Sequence, residues 1–177
     1  LTSSQKSSII SSLRDKKTLT TETVVVDPVY LAIGVGVHSS NENISYTLKD
    51  KTKIQLIRDA NSAASFEGIR NKAYNIIKTY IDSLMLGSTL NITSLTNDLL
   101  SITGVASIKT VRTDTSLSID GLHLLVWNPI YPKQDVKVVG SNLILSDFQY
   151  PYLDDPIGIK DNIEVVAQIK STGSIEY

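Results

Sequence analysis

A chain of 177 residues that is 41% hydrophobic can bury a core of its own without covalent staples. Its formal net charge of -1 withholds the basic footprint that a phosphate backbone demands, so nucleic acid is not an expected partner. The absence of cysteine excludes disulfides, thiolate metal sites and a thiol nucleophile, and fits assembly in a reducing compartment.

No apolar run approaches the roughly 18 residues that a membrane-spanning helix requires. The longest, Val29 to Val37, is interrupted by Gly34 and Gly36. A soluble protein without membrane insertion is expected. The chain opens on Leu1 with no basic segment ahead of an apolar one, which predicts no signal peptide and a longer polypeptide upstream.

At the N-terminus, Ser3 to Lys17 sets Ile9, Ile10 and Leu13 at helical spacing among serines and charges. So short and weakly apolar a stretch is marginal alone. It reads either as a helix leaning on another surface or as a connector. After Pro28, the residues Val29, Leu31, Ile33, Val35 and Val37 alternate with Tyr30, Ala32, Gly34, Gly36 and His38, which predicts a strand. Pro28 cannot donate to a ladder, so the strand starts, bulges or lies at an edge there. Gly34 and Gly36 share one face, which predicts close packing by a helix or a partner backbone. With no third glycine and no helix directly behind them, they do not make a dinucleotide fingerprint. Tyr46 to Ile57 carries no decisive pattern.

Phe66, Ile69, Ala73, Ile76, Tyr80 and Leu84 then recur at intervals of three and four, joined by Ile77 and Ile81. This spacing predicts a long amphipathic helix, with Gly87 as its stop. Burying five or six such side chains at roughly 1.5–3 kcal/mol each would make its face the centre of the core. Leu90 and Ile92 predict a short strand. Thr93 or Ser94 is placed to cap a short helix carrying Leu95, Leu99, Leu100 and Ile102, with Gly104 as its stop. Val105, Ile108 and Val111 predict a strand whose imperfect alternation implies a bulge.

From Gly121 onward the chain carries its only tryptophan and four of its five prolines, together with several aromatics. Leu122 to Trp127 and Val136 to Val139 read as strands, while Pro129, Pro132, Pro151 and Pro156 disfavour helix interiors and central strands. Ile163 to Ile169 resumes alternation and is expected to rejoin the first sheet. The expected fold class is α+β, a small mixed sheet with helices packed on one face, plus a β-rich proline and aromatic excursion. The expected segments are 1–19, a helix or connector; 20–118, the α+β unit; 119–160, the excursion; and 161–177, the returning strand and tail. The core of the unit is assigned to Phe66, Ile69, Ile76, Tyr80, Leu84, Leu95 and Leu99.

Chemical signatures are sparse. His38 and His123 lie far apart, and neither has metal-ligand spacing. Asp154-Asp155 reads as a turn between prolines. There is no GxSxG elbow and no GxxxxGK[ST] loop. Neither cofactor nor metal is expected, and the chain does not read as an enzyme. The positive signal is aromatic: prolines lower the entropy lost in holding an exposed loop, and aromatic rings are enriched at binding hot spots. Trp127 and Phe148 are assigned to the core of the excursion. Tyr131, Tyr150 and Tyr152, with Ile9, Ile10 and Leu13 of the N-terminal helix, are the candidate interface residues.

The order "VVVDPVYLAIGVGV", then a long helix leading into "YIDSLMLGSTLNITSLTNDLLSITGVASIKTV", resembles the baseplate J-like proteins of contractile-tailed phages and related injection machines. The matching points are Pro28, Leu86-Gly87, Leu90 to Leu95 and Gly104-Val105. They cover roughly residues 20 to 113, and within that family they are most similar to the C-terminal part of T-even-type baseplate wedge subunits. The segment from Gly121 to Pro156 has no counterpart in this pattern. The resemblance implies a structural, non-enzymatic building block of the virion's tail baseplate, assembled in the host bacterial cytoplasm. Its implied partners are itself, as a homodimer, and other baseplate wedge subunits. The alternative kept from the residues alone is a receptor- or carbohydrate-binding module using the aromatic segment 127–152.

Overall fold

A computed structural model describes residues 1–14, 25–37, 51–131, 137–154 and 156–168. The expectations for His38, Pro132 and Asp155 lie outside the described residues, as does the part of the unassigned stretch before Lys51. The helices are α1 (Ser3–Arg14), α2 (Phe66–Asp82), α3 (Ile92–Leu100) and α4 (Pro156–Asp161). The strands are β1 (Val29–Val35), β2 (Thr52–Arg58), β3 (Thr89–Asn91), β4 (Val105–Arg112) and β5 (Ser118–Asp120), then β6 (Leu124–Trp127), β7 (Lys137–Val139), β8 (Asn142–Ile144), β9 (Gln149–Leu153) and β10 (Ile163–Ala167).

The fold is α+β. Its strands divide between two four-stranded mixed sheets, ordered β7-β6-β1-β9 and β10-β2-β4-β5, with a separate β3-β8 ladder. β1 is antiparallel to β6 and parallel to β9, while β2 is antiparallel to β4 and parallel to β10. Three of the four strands in β1's sheet come from 119–160, so that segment shares β1's core. The bulge expected in β4 is present. Ile57 faces Ser107 while Arg58 faces Val105, which leaves Ala106 as the extra residue.

One continuous core joins the elements. It takes Leu31, Ile33 and Val35 from β1, Ile54 and Leu56 from β2, Ile69, Ala73, Ile77 and Ile81 from α2, and Leu95 and Leu99 from α3. The four buried residues of α2 follow the i, i+4 row that brings side chains onto one face. Its N-cap, Ser65, accepts the Gly68 N–H at 3.0 Å.

Of the residues assigned to the core, Ile69, Leu84, Leu95 and Leu99 are buried, and Ile76 and Tyr80 pack half-buried against it. Phe66 is a correction. As the first residue of α2 it projects beyond the packed turns and is 44% exposed, with the Arg58 guanidinium 4.7 Å from its ring centroid. Tyr80 stays at the core margin because its hydroxyl works: it accepts the Asn91 N–H at 2.7 Å and donates to the Asn91 carbonyl at 3.1 Å. Asn91 is also the true N-cap of α3, its side chain accepting the Ser94 N–H at 2.8 Å, so the helix begins ahead of the expected Thr93 or Ser94.

Gly87 does not end α2, which stops at Asp82, with Ser83 as C-cap and its hydroxyl donating to the Tyr80 carbonyl. Gly87 instead takes a left-handed conformation, φ 70°, in the turn into β3. Gly34 and Gly36 are likewise reassigned. What approaches them is the cross-strand neighbour β6 rather than a helix or backbone. A Cβ on Gly34 would lie 2.8 Å from the Trp127 ring, and one on Gly36 would lie 2.6 Å from Leu125 Cγ. Gly34 and Ala32 thus leave room for Trp127, only 8% exposed, and Gly36 leaves room for Leu125, on the face where these side chains pack together.

Candidate assembly surface

β1 organises a cluster of exposed apolar side chains at its N-terminal end. The parallel β1-β9 register sets Tyr30 beside Tyr150 and Ala32 beside Tyr152. Since paired residues point to the same face, the three tyrosines meet on the face opposite the main core. The Tyr30 ring stands edge-on to Tyr150 at 6.0 Å and to Tyr152 at 6.4 Å, at 76° and 75°. Tyr30 and Tyr150 are 51% and 36% exposed. Tyr152 packs half-buried against Ala32, Leu125 and Trp127.

The neighbouring segments emerge at the same end. β6 runs antiparallel to β1 with Trp127 opposite Ala32, so residues 128–131 continue toward the start of β1. There buried Asn128 accepts the Ile130 N–H through its side chain at 2.9 Å, and this local turn throws Ile130 and Tyr131 outward, 74% and 60% exposed. On the other side, the Val29 N–H donates to the Phe148 carbonyl at 2.7 Å, and Phe148 is 60% exposed. Phe148 was assigned to the core. It lies instead in the turn before β9, outside the packed layers. The Gly87 N–H bonds to the Gln149 carbonyl at 3.4 Å, which brings exposed Met85 and Leu86 to the same region.

α1 is moored nearby by charge. Lys6 Nζ lies 2.6 Å from Asp27, at the entry to β1, and that hydrogen bond holds the Asp27 carboxyl below the usual carboxylate range. Ile9, Ile10 and Leu13 of α1 are 37%, 37% and 40% exposed, so the helix does not spend its apolar stripe on the body of the molecule. The structure thus brings Tyr131, Tyr150 and the mooring of α1 to one end of one sheet, and places Tyr152 mainly in packing. It adds Tyr30, Ile130, Phe148, Met85 and Leu86, which the sequence reading did not select. Tyr30 carried a signal as a tyrosine heading a face continued by alanine and glycines, and Phe148 carried one as an aromatic of the excursion.

Chemistry-bearing side chains are dispersed. Among the described residues no group of three or more His, Asp or Glu side chains is placed to hold a metal ion, and no helix is long and apolar enough to cross a membrane. No family model, curated protein or solved structure matches this chain.

Proposed function

We propose that this chain is a structural subunit of a phage tail baseplate wedge that works by self-association and by contacts to neighbouring baseplate subunits, without catalysis. The observation that carries the reading is the concentration of exposed aromatic and aliphatic side chains at the N-terminal end of β1. Rings held edge-to-face on a sheet lose little conformational freedom when covered, and that favours a binding surface over an incidental patch. The resemblance over residues 20 to 113 supplies the baseplate setting.

The test is light scattering on a size-exclusion column across a concentration series. The wild-type mass is expected to rise with concentration, and to rise less in a Tyr30→Ser, Tyr150→Ser double variant and in a chain lacking residues 1–17. Masses unchanged in both variants would rule out this contact surface.

A further inference from the structure

The two sheets differ at their outer edges. β9 carries Pro151 at the edge of the first sheet. The bonds from Val29 N–H to Phe148 O and from Asp154 N–H to Ile33 O turn the even-numbered residues of β9 toward β1. The missing N–H of Pro151 therefore lies on the outer side, where it blocks addition of another strand.

β10 forms an edge of the second sheet and has no such block. The Ile54 N–H donates to the Asn162 carbonyl at 2.8 Å and the Gln168 N–H to the Arg58 carbonyl at 3.0 Å. Even-numbered residues therefore face β2, and Ile163, Val165 and Ala167 turn their N–H and C=O groups outward. Among the described residues no strand lies on that side. The first turns of α2 wall it with Phe66, Glu67 and Arg70, making a groove floored by Ile163 and Val165. A helix beside an open strand edge is a recurrent seat for strand addition.

We infer that a second copy of this chain fills the groove, pairing its β10 antiparallel to the first about a two-fold axis through Val165. The inference rests on the assembly reading for its biological setting. A two-fold contact must complement itself, and this edge does. In that register Ile163 faces Ala167 of the second copy, and Glu164, the only charge on β10, faces Val166, so like charges do not meet across the ladder. α2 runs antiparallel to β10. Phe66 at its start lies by Arg58, which pairs with the end of β10, while Arg70 reaches Asp161 and the Lys160 carbonyl at β10's beginning, at 3.0 and 3.1 Å. The two-fold therefore sets Glu67 of each copy toward Arg70 of the other, anion against cation. The contact is separate from the aromatic end of β1, and a building block with two distinct contacts can extend into a ring.

The experiment uses the Tyr30→Ser, Tyr150→Ser chain, in which the aromatic contact is weakened, with and without Val165→Pro. The proline removes an outward N–H and leaves the hydrogen bonds to β2 in place, at the cost of the Val165 side chain's packing against the core. The parent is expected at twice the 19.4 kDa chain mass, and the Val165→Pro variant at the single mass. A monomeric parent, or a dimer that survives Val165→Pro, overturns β10 pairing, whereas the assembly reading is judged separately by whether the tyrosine changes lower the wild-type mass. If circular dichroism shows that the proline variant does not fold, amide exchange on the wild type decides. Protection at Ile163, Val165 and Ala167 that grows with protein concentration is expected, and exchange independent of concentration overturns the pairing.

Discussion

Thr52 is fully buried at the start of β2, and among the described residues its hydroxyl has no hydrogen-bond partner. A buried hydroxyl left unpaired has given up its water without return, so Thr52→Val is expected to raise stability by about 1 kcal/mol. A urea midpoint that stays put or falls would show that the hydroxyl is satisfied in solution. Arg112 presents the opposite case. Its side chain is 4% exposed, and its guanidinium grips Asp114 through both carboxylate oxygens, at 3.1 and 2.8 Å. The Arg112 hydrogen bond holds the Asp114 carboxyl below its ordinary 3.8. Because the folded state lowers this pKa, the stabilisation is present above the unfolded value and drains away as pH falls through the folded one. In urea titrations between about pH 2 and pH 5, Asp114→Asn is expected to lose stability less steeply with acid than the wild type. Parallel acid limbs would mean that the pair contributes nothing there.

At the scale of the element, α3 shows how little sequence separates a cap from an ordinary helical residue. Asn91, Thr93 and Ser94 are all good capping types, and the stretch offers each in turn. Asn91 wins because Tyr80 of α2 holds both its backbone N–H and its carbonyl, fixing it in the extended conformation, φ -96° and ψ 94°, that a cap requires. Asn91→Ala is expected to cost about 1 kcal/mol in a denaturant titration, and Thr93→Ala a few tenths at most. Equal costs at the two positions would contradict this assignment. α1 marks the other extreme. Its ties to the body are exposed polar ones, so removing residues 1–17 is expected to leave the melting temperature unchanged while lowering the associated mass. A drop in melting temperature would mean that α1 packs as part of the core.

For the whole molecule, periodicity revealed α2, α3 and β4, because each buries one face and so writes its period into the chain, and β1, where large side chains alternate with alanine and glycine although Leu31 to Val35 are buried on both faces. β2 escaped detection although it is central: its alternation of buried Thr52, Ile54 and Leu56 with Lys53, Gln55 and Ile57 places a polar residue inside and an apolar one outside. The partition into two sheets was equally hidden. β1 pairs with β6 and β9 from the far end of the chain, and β2 with β10, across separations that no local pattern records. The candidate surface follows the same division. Tyr131 and Tyr150 stood out as aromatics among prolines. Tyr30 and Tyr150 became one ledge only when β9 was laid in register beside β1, and Trp127 sank into packing because Gly34 leaves room for its ring.

The sequence by itself determined the α+β class, the major amphipathic helix and most of its buried row, the lack of cysteine and the near-neutral net charge, since composition and period are local properties of the chain. Tertiary structure alone decided which strands are neighbours, which aromatic rings face outward and which sheet edge has no partner strand among the described residues. Those outcomes depend on register between distant segments, where a shift of one residue exchanges the buried face for the exposed one.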